Sequence, residues 1–237
     1  MIERKIFLIP TIICETYYSN VFPEYNKKVI KDIKIFFVEN IKSARRFLKR
    51  IIDENFDISS VEFFEINKRT TQNEILYYEK ILQNNYQVGI MSEAGMPAIA
   101  DPGALIVKTG HKYGYKIIPL IGPSSVFLAL AASGLNGQRF RFLGYLTNKK
   151  DKLKNEIKEI ERISKKFSET QIFIEAPYRN LKLFDQMLKN LSDRTLLCIA
   201  CCITGKDEFI LTKSVGEWKK LPTPSINKRN TIFLILA

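Results

Sequence analysis

Small residues, two acids and two prolines are concentrated in the segment SEAGMPAIADPG, residues 92–103. Side chains this small leave backbone N–H and C=O groups uncovered, so the main chain itself can hold a ligand. The sequence has no GxGxxG motif and no GxxxxGK[ST] loop, which argues against a dinucleotide or a nucleoside triphosphate. The segment therefore predicts a binding site for a ligand without phosphate groups.

Asp101 has two possible roles in this segment. It stands directly before Pro102 and Gly103, where an aspartate commonly caps a helix and a proline occupies the first helical position. It is also an acid within a predicted ligand-binding segment. Capping and chemistry both stay open for this residue.

A second turn of similar character is PLIGPSS, residues 119–125. Gly122 and Pro123 turn the chain, and Ser124 or Ser125 can cap the helix that follows. Both turns follow predicted strands, and ligands of open α/β sheets bind at the carboxyl ends of strands. We expect the two turns to form walls of one pocket, although capping alone would also explain the serines.

The elements that position these turns can be predicted from periodicity. Short runs rich in Ile, Val, Phe and Tyr predict strands at 5–10, 33–39, 87–92, 115–121, 139–146, 170–176, 195–203, 208–212 and 230–237. Apolar residues three and four apart predict helices at 40–54, 71–85, 102–114, 123–134, 150–167 and 177–191. TGKD, residues 204–207, predicts a hairpin turn.

The alternation of strands and helices predicts an α/β fold with two α/β domains, residues 1–122 and 123–237. We expect a largely parallel sheet in the first domain and a mixed sheet in the second. A cleft between two domains is a common place for a small ligand, so we expect a cofactor to bind there.

The net charge is +12, which makes an acidic partner such as nucleic acid plausible. The many Lys, Ile and Asn residues are also what an AT-rich genome produces, so both explanations stay open. Three of the four cysteines, Cys198, Cys201 and Cys202, lie in the apolar segment LLCIACC and are interpreted as small buried side chains, and no metal site is expected. Because no apolar run is long enough to cross a membrane, we expect a cytoplasmic protein.

Six strings occur in order along the chain, namely SEAGMPAIADPG, PLIGPSS, LAASGL, RFLGYL, FIEAPYRNL and ITGKDEF. They resemble the successive signatures of the tetrapyrrole methylase superfamily and are most similar to its ribosomal RNA small-subunit methyltransferase I group. The resemblance covers residues 87–212 well. It implies a two-domain α/β homodimer that binds S-adenosylmethionine between its domains. It also implies methylation of the 2′-hydroxyl of a cytidine in 16S rRNA of the 30S subunit.

The resemblance also assigns cofactor-binding residues at the ends of three strands. They are Pro10, then Ser92, Glu93, Ala94, Gly95, Met96 and Ile99, and finally Ser124 and Ser125. The chain departs from the family's pattern at PTIICE (10–15), VENIKSARR (38–46) and EINKRT (65–70). Those positions would face the methyl acceptor. The resemblance therefore supports cofactor binding more directly than it supports rRNA as the acceptor.

Methyl transfer to a hydroxyl also needs a group that removes a proton. Glu39, at the end of the second predicted strand, is the leading candidate for the catalytic base, and Glu93 and Asp101 follow. An ordinary role at the strand end stays open for Glu39. His111 is expected to be a surface residue or a hydrogen-bonded structural residue. Basic residues that could hold phosphates are Arg45, Arg46, Lys68, Arg69 and Arg179.

Three functions from different classes follow from these observations. The preferred one is an S-adenosylmethionine-dependent RNA 2′-O-methyltransferase. The second is a methylase of a tetrapyrrole precursor or of a protein side chain. The third is a ribosome-associated relative that binds the cofactor but has lost catalysis through the altered segments 10–15 and 38–46.

Overall fold

The computed structural model describes residues 3–53, 55–84 and 87–237, which divide into two compact units. The first unit is formed by residues up to Ile12 and by Thr16–Ser124. The second is formed by Ile13–Glu15 and Ser125–Ala237. The sequence predicted a division between residues 122 and 123, and it did not predict that Ile13–Glu15 belongs to the second unit.

The first unit is built on a five-stranded sheet in the order β3-β2-β4-β1-β5. All of its strand pairs are parallel, as predicted. The strands are β1 (Lys5–Ile9), β2 (Ile35–Val38), β3 (Glu62–Glu65), β4 (Gln87–Met91) and β5 (Lys116–Pro119). The helices are α1 (Glu24–Lys31), α2 (Ile41–Ile51), α3 (Gln72–Asn84) and α4 (Gly103–Lys112).

Strand β2 shows how the core of this unit is built on both faces of the sheet. Phe36 and Phe37 are adjacent in sequence and both fully buried, and they belong to different core clusters. Successive side chains of a strand point to opposite faces, so a strand covered on both faces is continuously apolar. Gly89 on neighbouring β4 leaves room for Phe36, since a Cβ there would lie 2.7 Å from the Phe36 ring.

The second unit contains a mixed sheet in the order β6-β7-β10-β8-β9. Its strands are β6 (Phe140–Tyr145), β7 (Thr170–Ile174), β8 (Leu196–Cys201), β9 (Phe209–Ser214) and β10 (Thr231–Leu236). Only the β6–β7 pair among these is parallel. Its helices are α5 (Ser125–Ser133), α6 (Lys150–Phe167), α7 (Asn180–Asn190) and α8 (Val215–Trp218). The predicted hairpin is confirmed, because β8 and β9 pair antiparallel across residues 202–208.

Residues 13–15 are attached to the second unit by packing and by hydrogen bonds. Ile13 is only 5% exposed and lies in a core cluster with side chains of α5, β8 and β10. The Asn230 side-chain amide donates a hydrogen bond to the Ile13 carbonyl at 2.7 Å.

Cys198, Cys201 and Cys202 are buried, as predicted, and burial raises the pKa of the nearby Cys14 thiol to about 12.

Every predicted strand and helix is present, with bounds shifted by a few residues. Strand β3 and helices α1 and α8 were not predicted. Strand β3 is four residues long, EFFE, with exposed glutamates at both ends, so it shows neither a long apolar run nor alternation. In the described part of the chain, no helix is long and apolar enough to cross a membrane.

Candidate active site at the carboxyl ends of β1, β2 and β4

Strand β4 lies between β1 and β2 in the parallel sheet of the first unit. Parallel strands end at the same edge, so the segments that follow Ile9, Val38 and Met91 lie side by side. These segments begin with Pro10, with Glu39 and with Ser92–Glu93. The sheet order therefore brings three of the segments singled out in the sequence to one edge.

The start of the 92–103 loop is tied to the end of β1 by reciprocal backbone hydrogen bonds. Thr11 N–H donates to the Gly95 carbonyl at 2.9 Å, and Gly95 N–H donates to the Thr11 carbonyl at 3.2 Å. The hydroxyls of Thr11 and Ser92 donate to the carbonyls of Ser92 and Gly95, at 3.2 and 3.1 Å. Gly95 has a φ of 79°, a conformation that favours glycine. Thr11 is not among the predicted site residues, because no local signal in the sequence indicates this long-range pairing.

The middle of the loop has an unusual backbone conformation. Ala98 and Ala100 have φ values of 66° and 61°, in the left-handed region that costs a non-glycine residue about 1 kcal/mol or more. Such conformations concentrate at ligand-binding sites. Ala94, Ile99 and Ala100 are exposed, so the loop presents main-chain groups and small or apolar side chains to solvent.

Asp101 closes the loop with a structural contact. Its Oδ1 accepts a hydrogen bond from the Gly103 N–H at 2.6 Å. The N-cap of α4 is Pro102, so the prediction of Asp101 as N-cap and Pro102 as the first helical residue is wrong by one position. Helix α4 begins at Gly103, one residue later than predicted. Burial raises the pKa of Asp101 to about 6, against the Gly103 hydrogen bond that lowers it, and the negative charge of Glu39 raises it further.

A pocket of about 220 Å³ opens at this edge of the first unit. Its walls come from the ends of β1, β2 and β4, from the segment before α1 and from α2. The lining residues are Thr11, Ile12, Tyr18, Val38, Glu39, Asn40, Ser43, Ala44, Arg46, Phe47, Arg50, Met91, Ser92 and Glu93.

Glu39 is the more buried of the two acids that line the pocket, and a hydrogen bond from the loop after β4 holds it in place. Its Oε2 accepts a hydrogen bond from the Glu93 N–H at 2.8 Å. Burial raises the pKa of the Glu39 carboxyl, the Glu93 hydrogen bond lowers it, and the Glu93 charge raises it again. A carboxylate with a raised pKa in a pocket is a candidate proton acceptor.

Helix α2 begins at the pocket because of Asn40. The Asn40 side-chain oxygen accepts hydrogen bonds from the Lys42 and Ser43 N–H groups, at 2.9 and 3.2 Å, as an N-cap does. The Ser43 hydroxyl in turn donates to the Glu93 carboxylate. Asn40 before an amphipathic stretch is a recognisable helix start signal, whereas its role in shaping a pocket is not visible in the sequence.

Comparison with known proteins identifies the family. The family model for Tetrapyrrole (Corrin/Porphyrin) Methylases matches residues 23–218. The chain belongs to the tetrapyrrole methylase family. Members of this family use S-adenosylmethionine as the methyl donor.

Two curated relatives of this tetrapyrrole methylase carry the same name. The "Ribosomal RNA small subunit methyltransferase I" of Buchnera aphidicola subsp. Schizaphis graminum is 31% identical over 88% of this chain and 70% of its own. The protein of that name from Bacillus subtilis is 35% identical over 66% of this chain and 51% of its own. The chain thus spans about half of one of these relatives and 70% of the other.

A solved diphthine synthase has the same fold. It superposes with a TM-score of 0.67 at 12% sequence identity, covering 99% of this chain and 90% of that one. The predicted fold class, two α/β domains with a largely parallel and a mixed sheet, is confirmed.

The pocket of this tetrapyrrole methylase contains Glu39, Ser92 and Glu93 of the predicted site residues. Pro10 instead packs against the second predicted turn, since a Cβ on Gly122 would lie 2.2 Å from the Pro10 Cγ. The division between the units falls between Ser124 and Ser125. The predicted residues outside the pocket are Pro10, Ala94, Gly95, Met96, Ile99, Ser124 and Ser125.

The residues of the loop fit S-adenosylmethionine. The molecule has no phosphate, and it needs main-chain hydrogen-bonding groups and apolar contacts. Ala94 and Ile99 are exposed, and Ala98 has a left-handed backbone, so the loop offers both. His111 is exposed on α4, as predicted, and it lies outside the pocket lining.

Proposed function

We propose that this protein methylates the 2′-hydroxyl of a cytidine ribose in 16S ribosomal RNA, with S-adenosylmethionine as the donor. The curated relatives named ribosomal RNA small subunit methyltransferase I support an RNA substrate. The observation that carries the proposal is the Glu39 carboxylate in a pocket beside the 92–103 loop. The net charge of +12 suits a polyanionic substrate.

Glu39 is the proposed catalytic base. S-adenosylmethionine supplies an electrophilic methyl group when it is bound. A ribose hydroxyl is a very weak acid, so a positioned base that takes its proton speeds the reaction by about 10²–10⁴-fold. The hydrogen bond from the Glu93 N–H fixes one oxygen of the Glu39 carboxylate and leaves the other to accept the proton.

The proposed cofactor-binding residues surround the loop and the ends of β1 and β5. The small side chains and left-handed backbone of residues 94–100 support main-chain contacts to the cofactor. The full set is Pro10, Ser92, Glu93, Ala94, Gly95, Met96, Ile99, Ser124 and Ser125.

The proposed substrate also suggests a partner and a cellular location for the protein. The nucleotide lies in the 30S subunit, so we propose the 30S subunit or its 16S rRNA as the partner and the cytoplasm as the location. We further propose a homodimer, as the resemblance to the methyltransferase I group implies.

Mapping of 2′-O-methylation tests the proposal. In cells that lack this protein, we expect mass spectrometry of 16S rRNA to show the loss of one 2′-O-methylcytidine. Purified wild-type protein should then transfer radiolabel from S-adenosylmethionine to the 30S particles of those cells. An unchanged methylation map together with no transfer would refute the proposed function.

The variant Glu39→Gln separates catalysis from binding. We expect at least about 100-fold slower methyl transfer, because the amide accepts no proton, with unchanged S-adenosylmethionine affinity by calorimetry. Wild-type activity should fall as the pH drops through the raised pKa of Glu39. Glu62→Gln is the matched control, since Glu62 is exposed on β3, and it should behave as wild type. An active Glu39→Gln variant would exclude Glu39 as the base.

A further inference from the structure

Helix α2 carries a cationic surface that no acid on the helix balances. Its sequence, IKSARRFLKRI, contains no Asp or Glu. The opposite face of the helix, with Ala44, Phe47, Leu48 and Ile51, is buried. The exposed basic residues, which we call the α2 basic face, are Lys42, Arg45, Arg46, Lys49 and Arg50.

The α2 basic face has no carboxylate partner among the residues that the structure describes. None of its five members occurs in the ion pairs of the described chain. Helix α6 differs, because Asp151, Glu156, Glu159 and Glu161 are interspersed among its lysines and Arg162 pairs with Glu159. A lysine-rich helix with interspersed acids is a solvated surface, whereas uncompensated cations on one face attract a polyanion.

Two residues of the α2 basic face reach the pocket. Arg46 and Arg50 are four residues apart, on one side of the helix, and both line the pocket that contains Glu39. The Arg50 guanidinium lies 4.8 Å from the centre of the Tyr18 ring. A cation–π contact of this kind restrains the guanidinium, so Arg50 is positioned before any partner binds.

The chemistry of the pocket distinguishes among polyanions. Glu39 and Glu93 would repel the carboxylates of an acidic protein surface. A ribose presents hydroxyl groups that can donate to those same carboxylates, and Asn40 and Ser43 add uncharged polar groups. The exposed Arg46 and Arg50 and the half-buried Glu39 line one pocket. They therefore match a nucleotide whose phosphates contact the arginines while its sugar reaches Glu39.

We propose that the α2 basic face binds the sugar–phosphate backbone of the substrate RNA, with Arg46 and Arg50 contacting the phosphates next to the methylated nucleotide. This inference rests on the proposed function, and it places the RNA on a surface of the first unit. Arg46 and Arg50 act as binding and positioning residues, and Glu39 takes the proton.

A charge-neutral double variant tests this surface. Arg46→Gln with Arg50→Gln removes two cations from α2. Lys154→Gln with Lys158→Gln is the matched control, because both lysines are exposed on α6 with the same spacing and the same charge change. The measurement is the affinity of each protein for a single-stranded fragment of 16S rRNA as salt concentration increases.

The α2 double variant should bind the RNA at least about tenfold more weakly at low salt. Its plot of log affinity against log salt should be shallower by about 1.4, because each lost phosphate contact removes about 0.7 for a single strand. The α6 double variant should match wild type. Calorimetry with S-adenosylmethionine should give wild-type affinity for both variants, which shows that the first unit is folded.

Three results would overturn the inference: equal weakening in both double variants, wild-type affinity in the α2 variant, or displacement of the RNA by polyglutamate at equal charge concentration. The last result would indicate a surface for acidic proteins. The methylation map tests the proposed function separately. If RNA binding depends on α2 but loss of the protein leaves the methylation map of 16S rRNA unchanged, only the proposed function is refuted. If the α2 double variant methylates RNA as wild type does, only this surface is refuted.

Discussion

Burial raises the pKa values of two acids at the same edge of the first unit, and the two carboxyls make different contacts. Glu39 lines the pocket and accepts a hydrogen bond from Glu93 in the loop after β4. Asp101 lies outside the pocket lining and accepts from the first residue of α4. The sequence left both as candidates for chemistry. Their positions favour Glu39 for the proposed proton transfer, whereas Asp101 makes a local contact at the start of α4.

Asp101→Asn should change how stability depends on pH. The pKa of Asp101 is about 6 in the fold, above the ordinary 3.8, so the folded protein holds this proton more tightly than the unfolded chain does. The stability from this group is therefore present below about pH 4 and is lost as the pH rises through 6. Asparagine keeps an oxygen that can accept from Gly103 but does not titrate.

Urea unfolding of both proteins at pH 4 and pH 7 measures this effect. Between these values, wild type should lose about 1 kcal/mol relative to Asp101→Asn, once solvent screening of a partly exposed group is allowed for. Parallel pH profiles would contradict the assignment of a raised pKa to Asp101.

At the scale of elements, the end of β1 is locked between the turns that follow β4 and β5. On one side Thr11 exchanges backbone hydrogen bonds with Gly95. On the other side the Pro10 ring fills the space where a side chain at Gly122 would begin. The two turns singled out in the sequence are therefore both held by one short segment, because β1 lies between β4 and β5 in the sheet.

Gly122→Ala should disturb the second turn. The new Cβ would lie 2.2 Å from the Pro10 Cγ, and a rigid ring cannot move aside, so we expect a loss of about 1–3 kcal/mol in unfolding free energy. Affinity for S-adenosylmethionine should fall as well, because the proposed cofactor residues Ser124 and Ser125 follow Gly122 in the same turn. In Gly137→Ala the added Cβ meets nothing within 4 Å, and this control should keep wild-type stability. Equal stability of the two variants would argue against the close packing of Pro10 on Gly122.

At the scale of the whole molecule, neighbouring residues near the start of the chain belong to different units. Ile12 packs against a core cluster of the first unit, and Ile13 is buried in a core cluster of the second. Asn230 holds the Ile13 carbonyl from the second unit. A division of the chain at residue 124 alone would remove part of the second unit's core.

Ile13→Ala should therefore destabilise the second unit although it lies far from it in sequence. Truncation of a buried isoleucine costs about 2–5 kcal/mol. In hydrogen-exchange mass spectrometry, peptides of β8 and β10 should exchange faster while those of β1 and β4 stay protected. Ile12→Ala is the matched control and should give the reverse pattern. Faster exchange in the first unit for Ile13→Ala would contradict the division of the chain.

The sequence by itself determined the elements and the family of this protein. Apolar periodicity is a local property, so every predicted strand and helix is present, whereas β3 was missed because four residues ending in exposed glutamates carry too little pattern. Short loop motifs such as SEAGMPAIADPG are local as well, and they indicated a ligand site and a relationship to known methylases.

Only the tertiary structure decided which of these segments meet. The order β3-β2-β4-β1-β5 sets Glu39 beside Glu93, joins Thr11 to Gly95 and places the cations of α2 at the pocket. Those contacts join residues from about 50 to about 85 positions apart. No short stretch of the sequence contains both partners of such a contact. The strand order that brings the partners together is set by burial of the apolar faces of the whole sheet.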